Sequence, residues 1–148
     1  LLNSVNMVNA PVIARERNLD VTEVKNDQSV DFQSVIRVTV QTDKNTRTVA
    51  GALFGSLPRI VQVQDINFDA QLGENMLFVR NEDKPGFIGK LGTILGGAGV
   101  NIGNFHLGRS RENGHALALV EIDEQCPDTV AAQIAAIDGV IQAKVMRF

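Results

Sequence analysis

The stretch from Asn81 to Gly103, NEDKPGFIGKLGTILGGAGVNIG, decides how the rest of this chain is read. A charged turn ends in Lys84-Pro85-Gly86, and Phe87, Ile88, Leu91, Ile94, Leu95 and Ala98 then recur at the spacing of one helical face. Val100 opens an apolar run, so a loop feeds a helix and the helix feeds a strand. Gly89, Gly92, Gly96 and Gly97 interrupt the helix, each at a cost of about 1 kcal/mol against alanine. Such a pattern implies compensation: close packing of the helix backbone on a sheet, or an approaching ligand or partner chain that leaves no room for side chains. Gly97-Ala98-Gly99 reads as a helix C-cap. Its spacing to Gly103 is not that of a dinucleotide fingerprint, and Gly89-Lys90 lacks the hydroxyl residue and upstream spacing of a phosphate-binding loop.

Outward from this stretch the order is regular. Asn75 to Arg80 is expected as a strand, Gly86 to Gly99 as the helix and Val100 to Leu107 as a second strand. Arg109-Ser110-Arg111-Glu112-Asn113-Gly114 reads as a hairpin loop leading into a third strand, His115 to Ile122. Val130, Ile134 and Ile137 mark a helix over Asp128 to Ile137, and Val140 to Phe148 a fourth strand. The order βαββαβ is that of ferredoxin-like folds. Upstream, Asn9-Ala10-Pro11 resembles a helix start with Asn9 as cap, running to about Asn18. Val21 and Val24 lie in a short extended candidate. Ser34 to Gln41 alternates as a half-buried strand should, Asp43-Lys44-Asn45 turns the chain, and Arg47 to Phe54 and Arg59 to Phe68 are two further strands around the Gly55-Ser56-Leu57-Pro58 turn. A polar stretch from Asp69 to Glu74 separates two domains, 1–71 and 72–148. The fold class expected is α+β: a small, mostly antiparallel domain followed by a βαββαβ domain.

Composition narrows the function classes. At 148 residues with 44% apolar content the chain can bury a core, and a net charge of −3 with pI near 5.3 offers no basic footprint for nucleic acid. No apolar run approaches the roughly 20 residues that cross a bilayer, so a soluble, cytoplasmic protein is expected. The single cysteine, Cys126, excludes an internal disulfide and a Cys-rich zinc site. His106 and His115 read as strand or surface residues, with no metal expected. No nucleophile–base pair or other catalytic set is readable. The chain begins at Leu1 with neither an initiator methionine nor a signal sequence, which leads us to expect a piece of something larger.

Residues 76–148 resemble an ACT domain, an amino-acid-sensing module, most sharply in Asn81-Glu82-Asp83-Lys84-Pro85-Gly86, Gly92-Thr93-Ile94-Leu95 and Gly99-Val100-Asn101-Ile102. Phe105-His106-Leu107-Gly108-Arg109 is similar to the variant found in the carboxy-terminal regulatory region of the D-3-phosphoglycerate dehydrogenase family, whose members open serine synthesis. Asn9-Ala10-Pro11 and Arg47-Thr48-Val49-Ala50-Gly51-Ala52-Leu53-Phe54-Gly55 resemble the intervening, allosteric-substrate-binding domain of that family. The resemblance implies feedback control by L-serine bound between two ACT domains, a homodimer or higher oligomer through ACT edge strands, and catalytic domains that use NAD outside this region. No cofactor is expected in the region itself. It implies a site made of Asn81, Asp83, Pro85, Gly86 and Phe87 from one copy and Asn101 and Ile102 from the next. Asp83 would hold the ammonium, Asn101 would donate and accept through its amide, and the N–H groups of Gly86 and Phe87 would favour the carboxylate. Some members carry histidine or tyrosine where this chain has Asn81. The intervening domain is associated with polyvalent anions, which makes Arg47 and Arg59 candidates, with Arg37 and Lys44 as ordinary surface charge.

Blander readings exist for each residue. Taken alone, Asp83 reads as a turn residue capping the helix, and Asn101 as a polar residue at a strand start. The Asn-x-Asp-Lys-Pro-Gly run by itself would also suit the ACT region of another enzyme such as L-serine dehydratase; the first half of the chain argues against that. RNA binding would need exposed aromatics and basic charge, whereas tyrosine and tryptophan are absent. Acyl-phosphate hydrolysis would need an anion loop that Asp83 opposes.

Overall fold

The computed structural model describes residues 5–25, 34–110 and 114–148; Arg111-Glu112-Asn113 of the expected hairpin loop lie outside the described residues. The chain divides into two compact units, Leu1–Val30 and Asp31–Phe148. The first carries α1 (Ala10–Glu16). Asn9 stands at its N-cap position, but its side chain does not cap the helix. Asn9 Oδ1 instead accepts the Asn6 N–H at 2.7 Å, while Asn6 Oδ1 accepts the N–H groups of Val8 and Asn9 at 2.9 and 3.0 Å. The polar side chain that ties down the preceding turn is thus Asn6. Val21 and Val24 form no strand; both are exposed, and extension there would bury neither side chain.

The second unit holds two four-stranded antiparallel sheets. In the first, β1 (Val35–Gln41), β2 (Thr46–Phe54), β3 (Leu57–Val63) and β4 (Ile66–Gln71) pair in sequence order. The second consists of β5 (Asn75–Glu82), β6 (Ile102–Arg109), β7 (His115–Ile122) and β8 (Val140–Arg147) in the order β6-β7-β5-β8. Helices α2 (Phe87–Gly97) and α3 (Asp128–Ala135) complete the βαββαβ order expected from the sequence. Among the described residues no helix is long and apolar enough to cross a membrane.

One expected strand is a hairpin. Arg59 to Phe68 breaks at Gln64-Asp65, where Gln64 adopts φ 55°, and the chain returns as β4. Left-handed turn positions usually carry glycine or asparagine, and a glutamine there leaves no local signal. The strand that results extends through Asp69-Ala70-Gln71, with Ile66, Phe68 and Ala70 buried on alternate positions.

Both faces of the second sheet are covered. Leu77 and Val79 of β5 point to the helices and share a core with Leu91, Leu95, Val120 and Ile134. Met76, Leu117 and Leu119 point the other way, into a core with Ile66, Phe68 and Ala70 of β4. This explains the almost unbroken apolar run Ala116-Leu117-Ala118-Leu119-Val120 in β7: a strand buried on both sides has no polar face to alternate with. Where β4 crosses β6 there is no space for a side chain. A Cβ on Gly108 would collide with the Ile66 side chain and stand 2.8 Å from Phe68 Cε2. The C-cap expected at Gly97-Ala98-Gly99 is present, with Gly99 at φ 73° and the N–H groups of Gly99 and Val100 closing on the carbonyls of Gly96 and Leu95 at 3.1 and 2.9 Å.

The helix glycines behave differently from Gly108. A Cβ at Gly89, Gly92, Gly96 or Gly97 would meet nothing within 4 Å, so close packing on the chain's own sheet does not compensate their cost. Gly108→Ala should therefore lower unfolding free energy by about 1–3 kcal/mol through overpacking, whereas Gly92→Ala should raise it by up to about 1 kcal/mol. Urea unfolding of the two variants without added ligand checks both signs.

Candidate functional site

The loop between β5 and α2 is held from three sides. Asn81 lies on the face of β5 that carries Leu77 and Val79, and is only 2% exposed. Its Nδ2 donates to the Glu82 carbonyl at 2.6 Å, while its Oδ1 is buried without a partner among the described residues. An orphan carbonyl of this kind costs about 1–3 kcal/mol. Glu82 and Lys84 pair with one another; Lys84 holds the Glu82 carboxyl below its ordinary range, and Glu82 raises the Lys84 ammonium. Gly86 opens α2 at φ 93°, a conformation that disfavours any side chain, and no side chain caps the helix. The first turn of α2 therefore presents N–H groups at the positive end of its dipole. Phe87 puts its ring in the helix-side core, which leaves its backbone for a ligand, and Pro85 is exposed.

Asp83 is not the helix cap. Its carboxylate Oδ2 accepts Arg109 Nε at 2.6 Å, and its own N–H donates to the Gly114 carbonyl at 2.8 Å. The loop is thereby tied to the two residues that flank the β6–β7 connection. Arg109 was not among the residues expected at the site. Its sign in the sequence is its place at the end of the run Phe105-His106-Leu107-Gly108-Arg109, which closes β6.

Asn101 and Ile102 stand at the far end of the same sheet. Ile102 is opposite Ile122, whereas Glu82, next to Asp83, is opposite His115. The seven residue steps along β7 from one rung to the other span roughly 23 Å. One copy of the chain therefore does not bring Asp83 and Asn101 to the same small ligand. Asn101 Nδ2 donates to Asp123 Oδ2 at 2.6 Å and its N–H to Glu124 Oε2 at 3.4 Å, so this end carries two carboxylates that sequence reasoning did not single out. β6, which joins the two ends, is one of the two outer strands of its sheet.

The two arginine candidates in the first sheet are also apart. Arg47 is opposite Val40 near the start of β2, and Arg59 is opposite Ala52, five residues further along, which is roughly 17 Å. Arg59 donates to Asp69 Oδ1 at 2.7 Å and lies over the Phe54 ring at 5.6 Å from its centroid. Its charge is already matched, and Arg47 stands exposed. His106 and His115 lie in β6 and β7, and Cys126 is buried beside Pro127, with burial pushing its thiol up.

On the opposite side of the sheet from Arg109, Ser110 Oγ donates to Asp65 Oδ2 in the β3–β4 turn. That hydrogen bond, helped by Arg80 and His115, holds the Asp65 carboxyl below its ordinary 3.8. A lowered carboxylate adds stability above its unfolded pKa and loses it as pH falls through the folded value. Acid titration should therefore show stability declining below about pH 4, and Ser110→Ala should flatten that decline. Asn81→Leu should leave unfolding free energy unchanged or higher, because it removes the orphan carbonyl together with one hydrogen bond. Denaturant unfolding at neutral and acid pH checks these outcomes.

Residues 1–64 match the family described as the D-3-phosphoglycerate dehydrogenase intervening domain, and residues 75–139 match the ACT domain. Proteins named D-3-phosphoglycerate dehydrogenase are similar over nearly the whole chain. The one from Methanocaldococcus jannaschii is 30% identical over 99% of this chain and 28% of its own length. The one from Mycobacterium tuberculosis is 37% identical over 90% of this chain and 26% of its own. The one from Bacillus subtilis is 27% identical over 97% of this chain and 28% of its own. This chain thus spans little more than a quarter of the length of these relatives.

Proposed function

Because the chain belongs to the regulatory region of the D-3-phosphoglycerate dehydrogenase family, an intervening domain followed by an ACT domain, we propose that it senses L-serine between the ACT domains of two copies and so controls a dehydrogenase. The observation that carries this reading is the separation of Asp83 and Asn101 on a sheet in which an outer strand, β6, joins them. If two β6 strands paired antiparallel about a two-fold axis, Ile102 of one copy would face the Arg109 end of the other. Asn101 of the second copy would then stand beside Asp83 of the first. The ligand's ammonium would meet Asp83 and its carboxylate the open N–H groups at the start of α2. The buried Asn81 Oδ1, costly while unpaired, gains a donor once an ammonium or hydroxyl arrives.

The open space along Gly89, Gly92 and Gly96 fits the same arrangement, since a neighbouring helix or ligand can approach bare backbone there. L-serine is the amino acid that the family resemblance implies. Dehydrogenase chemistry and its NAD cofactor are assigned to other parts of the protein, and a cytoplasmic setting goes with that assignment. The match of residues 1–64 favours this reading over an ACT region serving another enzyme. Occupancy would act by differing affinity for the active and inactive arrangements of the attached enzyme.

Calorimetry should show heat with L-serine and a raised melting temperature, with weaker responses to glycine and D-serine. Sedimentation should show a dimer. Asp83→Ala should abolish the heat while costing stability less than about 1 kcal/mol, the range of an exposed ion pair. No heat at millimolar L-serine would refute the assignment, and a monomer with and without the ligand would refute the shared site.

A further inference from the structure

Two consecutive residues at the end of β6 reach opposite sides of the sheet. Arg109 binds Asp83 in the loop before α2, and Ser110, only 8% exposed, binds Asp65 in the turn between β3 and β4. Neither can move independently of β7: Arg109 is opposite Ala116, and the Ser110 N–H donates to the His115 carbonyl at 2.8 Å. The Asp83 N–H closes the ring by donating to Gly114. Immediately before them, Gly108 is pressed against Ile66 and Phe68 of β4, so a shift at the end of β6 has no slack to absorb it.

We propose that Arg109-Ser110 is the element that couples the amino-acid site to the first sheet. The inference rests on the amino-acid reading above. An ammonium arriving at Asp83 shares the carboxylate whose Oδ2 Arg109 holds, and repulsion between the two cations brought together weakens the Arg109 pair. Withdrawal of the guanidinium frees the last rung of β6, and its neighbour Ser110 passes the change to the Asp65 turn. By reciprocity, whatever stabilises the Asp65 turn alters affinity at Asp83 by the same factor, typically about 5- to 150-fold for coupled sites.

Hydrogen exchange at the amides of Gln64, Asp65 and Ile66, read with and without saturating L-serine, tests this. In the natural sequence L-serine should change exchange at these amides several-fold. In Ser110→Ala, calorimetry should still show binding but the change at the turn should vanish. Arg109→Gln alters an exposed side chain and leaves the core untouched; here the turn should exchange at the ligand-bound rate before L-serine is added. Binding with no change at the turn, or a change that persists in Ser110→Ala, would overturn the coupling and leave the amino-acid reading intact. Absence of any heat in the natural sequence would overturn both.

Discussion

The register of β6 on β7 is the constraint on which the rest of the second unit depends. Pairing Ile102 with Ile122 and Arg109 with Ala116 places Asn101 beside Asp123 and Arg109 beside Asp83. A slip of one residue would turn Phe105 away from the helix-side core and drive His106 into it, reversing every side chain of the strand. The pairing also delivers glycine, at Gly108, to the point where β4 crosses. Register, core composition and site geometry are thus set by one alignment of backbone hydrogen bonds.

Burial on two sides is the energetic counterpart of that register. A βαββαβ sheet with helices on one face leaves the other face to solvent or to a partner, and here β4 covers it with Ile66, Phe68 and Ala70. The arrangement gives β5 and β7 their runs of apolar residues and makes the turn at Gln64-Asp65 a neighbour of the β6–β7 connection. The hydrogen bond from Ser110 to Asp65 adds a polar contact at the rim of an apolar interface.

Charge in the candidate site, and at Arg59 in the first sheet, is organised as matched pairs. Arg109 answers Asp83, Lys84 answers Glu82, and Arg59 answers Asp69. Exposed pairs of this kind contribute little to stability, so their value lies in position. Asn81 is the exception: its side-chain carbonyl is buried with no partner among the described residues. A polar atom held at a cost beside an uncapped helix start is the kind of local conflict that accompanies function.

Among the described residues, the sequence by itself determined the three helices and six of the eight strands within about two residues, because hydrophobic period and glycine and proline punctuation are local. It also singled out the run from Asn81 to Gly86 as the candidate site. It was silent on the β3–β4 turn, where Gln64 takes the left-handed conformation without a glycine to announce it. The loss of Asp83 as a helix cap, the partner it finds in Arg109 and the distance between Asp83 and Asn101 were decided only by tertiary structure. Those facts depend on which strand lies beside which, and strand neighbours far apart in the chain leave no periodic trace in it.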